Sequence, residues 1–294
     1  MDPLELVRLR PLMARTEGRP EIVLALIDGP VVLDHPDLSG ARIRQIPHSP
    51  GISCSRRESI ACAHGTFVAG MLVARRGAPA PAICPGCTLI LRPIFADDMH
   101  ATGQVPSASP EELGKAIIDV VSAGAGVINL SAALAQPSGK GDHQLTEALD
   151  YAASRGVLVV VAAGNQGTVG SSVITRHSWV IPVVCCDVQG KPTAESNLGA
   201  SIGRRGLKVP AARITSLGTD GQPQTLGGTS AAAPFVTGAI ALLWSEFPVA
   251  RAGELKIAIT RRDRQLPNTI LPPLLNVWAA YQLLAATHHG RDLS

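Results

Sequence analysis

Apolar and polar positions alternate along the chain in two rhythms. The run Ile22-Val23-Leu24-Ala25-Leu26-Ile27 is unbroken by any polar residue, the pattern of a strand covered on both faces. Ser109-Pro110-Glu111-Glu112 carries the marks of a helix start: a capping serine, a proline in the first turn and a glutamate placed to bond back to the cap. The stripe Leu113, Ile117, Val120 and Val121 gives that helix one apolar face. Residues 127–130 predict another strand, 145–155 an amphipathic helix stopped by Gly156, 157–162 and 179–184 two further strands, and 231–244 a buried helix. Strands joined by helical crossovers imply an α/β protein with a doubly wound, mostly parallel sheet and helices on both faces. Ligands of such sheets sit beyond the carboxyl ends of the strands.

No internal repeat, linker or charge block divides the chain. The expected organisation is an N-terminal extension over 1–20, a single domain over 21–286 and a C-terminal tail over 287–294. The least regular stretches are 44–63 and 188–227, loops of a length that is often functional. Of the 294 residues 46% are hydrophobic and 17% charged, which places the chain among globular proteins. A net charge of +3 without any long basic run is no footprint for nucleic acid. No apolar run approaches the roughly 18 residues needed to span a bilayer, so no membrane partner is expected. The opening residues lack the basic-then-apolar order of a secretory signal, and a cytoplasmic location is expected.

Three residues stand at the edges of predicted elements. Asp28 directly follows the first strand, His64 precedes Gly65 and an apolar helical run, and Ser230 follows Gly227-Gly228-Thr229 at the head of the buried helix. A serine there is open to a substrate backbone, and the helix end favours developing negative charge. Its hydroxyl becomes a nucleophile only when a base takes the proton. Histidine suits that task near neutral pH, and a carboxylate fixes its tautomer. Asn165, in Ala163-Gly164-Asn165-Gln166-Gly167 beyond the strand 157–162, can donate to an oxyanion, with the Ser230 backbone N–H as second donor. Taken singly, each residue has an ordinary use as a turn or cap. Order and context together point to acyl transfer.

These residues resemble the subtilisin-like serine proteases through Ile27-Asp28-Gly29, through His64-Gly65-Thr66-Phe67-Val68-Ala69-Gly70, through Ala163-Gly164-Asn165 and through Gly228-Thr229-Ser230-Ala231-Ala232-Ala233-Pro234. The order Asp, His, Ser is a property of that family. A narrower resemblance, to the PatA/PatG-type proteases that mature ribosomal peptides such as cyanobactins, rests on Leu26 to Val31 with His35-Pro36 and on Leu91-Arg92-Pro93-Ile94-Phe95-Ala96-Asp97-Asp98. It implies Asp28, His64 and Ser230 as triad and Asn165 in the oxyanion hole. It also implies a peptide substrate, expected to be a precursor peptide, held along Asn129, Leu130, Ser131, Ala132, Ala163, Gly164, Gly228 and Thr229, with no cofactor. Macrocyclising members carry a helical insertion between the Asp and His motifs. Here 36 positions separate Asp28 from His64, rich in Pro, Ser and Arg, which favours hydrolysis. The alternatives are a peptide-binding module of the same fold, or a transpeptidase. Gly29 stands where the family commonly has Ser or Thr, and Phe67 where a second His is frequent.

The six cysteines are too few for a disulfide scaffold. Cys84-Pro85-Gly86-Cys87 has the spacing of a zinc or redox pair, but no second such pair accompanies it, so no metal is expected and its redox state stays open. Cys62 reads as a small buried residue, and the adjacent Cys185 and Cys186 are not expected to bridge each other. Asp97-Asp98 reads as a solvated turn. The remaining histidines lack ligand spacing and are expected in surface or capping roles.

Overall fold

The computed structural model describes residues 1–47, 54–95, 108–131, 142–261 and 269–289. Two short helices open the chain, α1 (Pro3–Leu6) and α2 (Arg10–Met13). They bury Leu4, Val7, Leu9 and Leu12 in the main core, so the first residues pack as part of the fold. Then come β1 (Val23–Asp28), a 3-10 turn (Pro36–Leu38), β2 (Arg42–Gln45), α3 (Ile60–Val73) and β3 (Thr88–Pro93). The middle of the chain forms α4 (Pro110–Ser122), β4 (Val127–Leu130), α5 (Asp142–Ser154), β5 (Leu158–Ala162), α6 (Val173–Arg176) and β6 (Val180–Cys186). It continues through α7 (Ala200–Arg205), β7 (Leu207–Pro210), β8 (Ile214–Leu217) and β9 (Pro223–Leu226) to α8 (Thr229–Glu246), α9 (Ala252–Ile259) and α10 (Val277–His289).

Among the described residues seven strands form one sheet in the order β2-β3-β1-β4-β5-β6-β7, every neighbouring pair parallel, and β8 and β9 make a separate antiparallel hairpin. The sheet is the doubly wound one that the alternation of strands and helices predicts. The two sides of β1 face different cores. Leu24 and Leu26 join the residues of α3 and α8, whereas Ala25 and Ile27 join those of α4 and α5. Each Leu, Ile or Val side chain removed from water in these cores contributes about 1.5–3 kcal/mol before entropy is counted. α4 begins as expected: Ser109 accepts from the Glu112 N–H, and the Glu112 carboxylate accepts from the Ser109 N–H.

The chain leaves β1 for β2 and β3 on one side, then returns past it to β4 and onward on the other. This reversal opens a crevice at the carboxyl ends of β1 and β4, the usual ligand position in such a sheet. Asp28 is the last residue of β1, and residues 129–131 lie at the end of β4. The stretch 188–227, expected to be irregular, instead holds α7, β7 and the β8–β9 hairpin. Its four-residue strands are too short to display a period. α8 starts at Thr229, so Ser230 lies inside its first turn.

Candidate active site

Two close approaches bring the end of β1 to the head of α3. A Cβ added at Gly29 would stand 2.0 Å from the Ala61 carbonyl oxygen, so only glycine lets the chain after Asp28 lie against α3. Thr66 secures the contact by accepting the Val32 N–H at 3.0 Å. Ser59 starts α3 by accepting the Cys62 N–H at 3.1 Å, and His64 follows in the first turns. The imidazole Nδ1 of His64 lies 2.7 Å from Asp28 Oδ1, and the same oxygen accepts the Gly29 N–H at 2.6 Å. Asp28 is 1% exposed, and its Oδ2 has no hydrogen-bond partner among the described residues. A carboxylate only accepts, so Nδ1 carries the proton and Nε2 is left as a base. Burial works against the imidazolium, but the charge and hydrogen bond of Asp28 outweigh it, and the His64 pKa is raised.

A second convergence surrounds Ser230. Asn165 Oδ1 accepts the Thr229 N–H at 2.9 Å and the Thr229 hydroxyl at 3.0 Å, while that hydroxyl accepts the Gly164 N–H at 3.2 Å. The carbonyl of Asn165 is thereby committed to Thr229, the residue before Ser230, and Asn165 itself is exposed. Gly228, at φ +105°, turns the chain into α8; a Cβ there would meet the Asn165 amide at 3.1 Å. The Ser230 N–H lies in the first turn of α8, where backbone donors have no acceptor within the helix. Gln224 of β9 donates to the Ala63 carbonyl at 3.1 Å, tying the hairpin before Ser230 to the residue before His64.

The residues expected to line a substrate divide into two groups. Asn129 is fully buried: Thr237 donates to its Oδ1 at 2.9 Å, and its Nδ2 donates to Ser131 Oγ at 2.6 Å. Ser131 in turn donates to the Ser230 carbonyl at 3.5 Å. Asn129 therefore belongs to a chain of polar contacts that holds α8 against β4, and its side-chain oxygen and nitrogen are both engaged within the protein. Leu130 is equally buried, and Thr229 is occupied with Asn165. Ala163 and Gly164 end the β5 connection beside Asn165, and Gly228 lies within reach of the same amide. Ala132, Asp97, Asp98 and His100 lie outside the described residues.

Cys62 is buried as expected, and the structure adds that it forms a disulfide with Cys54 across a Cα separation of 5.5 Å. Spacing alone cannot assign such a pair. Cys84, Cys87, Cys185 and Cys186 are buried free thiols. Several histidines have capping roles: His35 accepts the Asp37 N–H at 3.1 Å, and His177 accepts the Trp179 N–H at 3.3 Å. Two contributors to the site escaped the sequence reading. Thr237 sits in an apolar helix with no motif to mark it, and Arg57, in a stretch read as loop, bonds to Asp34 and to the Thr219 carbonyl.

The profile of the subtilase family matches residues 19–271. Fervidolysin of Fervidobacterium pennivorans is 30% identical over 263 residues, covering 80% of this chain and 36% of that protein. Subtilisin DY of Bacillus licheniformis is 26% identical over 286 residues, covering 95% of this chain and 97% of that protein. The chain thus spans about a third of the first relative and nearly all of the second. Among solved structures, the protease domain of PatA superposes with a TM-score of 0.83 at 30% identity, covering 92% of this chain and 97% of that one. The prenylagaramide maturation protease PagA superposes at 0.81 and 30%, covering 94% and 98%.

Proposed function

The chain belongs to the subtilase family, and from that membership we propose a serine endopeptidase that hydrolyses a precursor peptide. Ser230 attacks the peptide carbonyl as His64 Nε2 takes its proton. Asp28 holds the opposite ring nitrogen and stabilises the imidazolium. The negative oxygen of the tetrahedral intermediate is met by Asn165 Nδ2 and the Ser230 N–H. His64 then gives its proton to the leaving amine, and water, activated by the same base, releases the acyl group from Ser230.

The observation that carries this reading is the 2.7 Å contact of His64 Nδ1 with a buried carboxylate at a strand end. Support for the substrate comes from PagA and PatA, described as maturation proteases for prenylagaramide and patellamide. Between β1 and α3 the described residues hold only the 3-10 turn and β2, with no helix to shield an acyl-enzyme from water, which favours hydrolysis over cyclisation. A cytoplasmic site of action accords with a ribosomally made substrate. The Cys54–Cys62 disulfide weighs against it, because cytosolic thiols keep such bonds open. No helix among the described residues is long and apolar enough to cross a membrane.

A fluorophosphonate probe tests the assignment. Labelling that maps to Ser230 and vanishes in Ser230→Ala supports the endopeptidase. A folded chain that takes no label is a binding module instead, and a cyclic product by mass spectrometry from a peptide with a free amine marks a transpeptidase.

A further inference from the structure

Residues 54–59 lead into α3 immediately before His64, and they are tied to all three chain segments that carry the proposed triad. The disulfide from Cys54 ends on Cys62, two positions before His64. Arg57 donates to the carboxylate of Asp34, in the segment that leaves Asp28 at the end of β1. The same guanidinium donates at 3.4 Å to the carbonyl of Thr219, in the turn of the hairpin that leads to Ser230. Ser59 closes the segment by capping α3.

These contacts differ in strength. The Arg57–Asp34 pair is about half exposed on one side and more on the other, and pairs of that kind contribute little in water. The disulfide is covalent and ends on a buried sulfur-bearing residue in the first turn of the helix that places His64. We propose that residues 54–59 form a redox-sensitive strap whose disulfide, assisted by Arg57, positions His64 for catalysis, a role that rests on His64 being the base of the protease. Reduction needs two electrons from a dithiol. One thiolate of the reductant attacks the Sγ of Cys54, the half-exposed partner, and the buried Cys62 leaves as thiolate and takes a proton. The second thiol of the reductant then closes its own disulfide and frees Cys54 as a thiol. Cys54, Cys62 and Arg57 are positioning residues and touch no substrate in this scheme.

The six cysteines of the chain make the state of the strap countable, since four are free and two are bridged. The oxidised full chain is assayed with a fluorogenic peptide before dithiothreitol, after it and after reoxidation, with thiols counted in denaturant and folding followed by circular dichroism. A misplacement of about 1 Å can cost about a hundredfold in rate, so partial loosening is expected to lower kcat about tenfold. KM is expected to stay within about twofold, the acid limb of the kcat profile to move to lower pH, and reoxidation to restore both. The double variant Cys54→Ser with Cys62→Ser should show the lowered kcat without reductant and ignore its addition. Six titrated thiols with unchanged kcat and acid limb overturn the proposal. If reduction unfolds the chain, Arg57→Ala decides: a smaller fall in kcat with the same shift of the limb, partly restored in Arg57→Lys, supports the strap, and an unchanged profile overturns it. Absence of fluorophosphonate labelling in the oxidised chain defeats the protease reading, whereas a labelled enzyme indifferent to reduction defeats the strap alone.

Discussion

Replacing Asp28 by Asn separates what the carboxylate does by charge from what it does by geometry. In the structure both donors, the Gly29 N–H and His64 Nδ1, share the single oxygen Oδ1. An asparagine can keep its carbonyl oxygen there, and the Gly29 N–H holds it in that orientation. The imidazole then retains its tautomer, and Nε2 is still a base. What disappears is the negative charge beside a developing imidazolium. Two unit charges about 4 Å apart at an effective dielectric constant near 20 interact by about 4 kcal/mol. At about 1.4 kcal/mol per decade this is a loss of about a thousandfold in kcat. The new amide nitrogen takes the place of Oδ2, which is buried without a partner among the described residues, so a fall in stability of about 1–3 kcal/mol is also expected. The pH profile supplies an independent sign. His64 must be neutral to accept a proton, so wild-type activity is lost as pH falls through its raised pKa. Without the charge, only the retained hydrogen bond opposes burial at His64, so its pKa falls and the acid limb of Asp28→Asn moves to lower pH. Initial rates against a fluorogenic peptide across the acidic range measure both effects. A variant within about tenfold of wild type, or one whose acid limb stays in place, refutes the electrostatic role assigned to Asp28.

Two further substitutions test parts of the site that the structure separates. Asn165→Asp keeps an oxygen for the Thr229 N–H and hydroxyl but exchanges the donor facing the oxyanion for an acceptor, so kcat should fall by about 10²–10³ or more with little change in thermal midpoint. Retention of wild-type kcat would remove Asn165 from the oxyanion hole. Gly29→Ala forces a Cβ to within 2.0 Å of the Ala61 carbonyl, and separating β1 from α3 should cost roughly 1–3 kcal/mol in urea unfolding and lower kcat with it. An unchanged urea midpoint would show that the contact yields without strain.

The parts of the fold legible in the sequence are those whose signal is local. Ser109 and Glu112 announce their helix because the reciprocal cap needs only four consecutive residues. The strand 127–130 and the strands at 23–28 and 158–162 are visible because parallel strands buried on both faces read as nearly continuous apolar runs. The hairpin β8–β9 is hidden because its strands are only four residues long, and β9 alternates only between exposed and intermediate positions. At the site, Asp28, His64, Asn165 and Ser230 are marked by the glycines and element ends around them. The Cys54–Cys62 bridge, the bonds of Arg57 and the Thr237–Asn129 contact join positions 8, 23, 162 and 108 apart, with no pattern at either end to link them. Asn129 shows the consequence. A polar residue at a strand's carboxyl end carries no local mark of its partners, and only the position of Thr237 in α8 shows that this side chain anchors the helix to the sheet. The chemistry of this site is therefore written in local motifs, whereas the rigidity that brings those motifs into line is written in long-range pairs. Substitutions of the first kind should remove catalysis from a folded chain, and substitutions of the second kind should lower stability and kcat together.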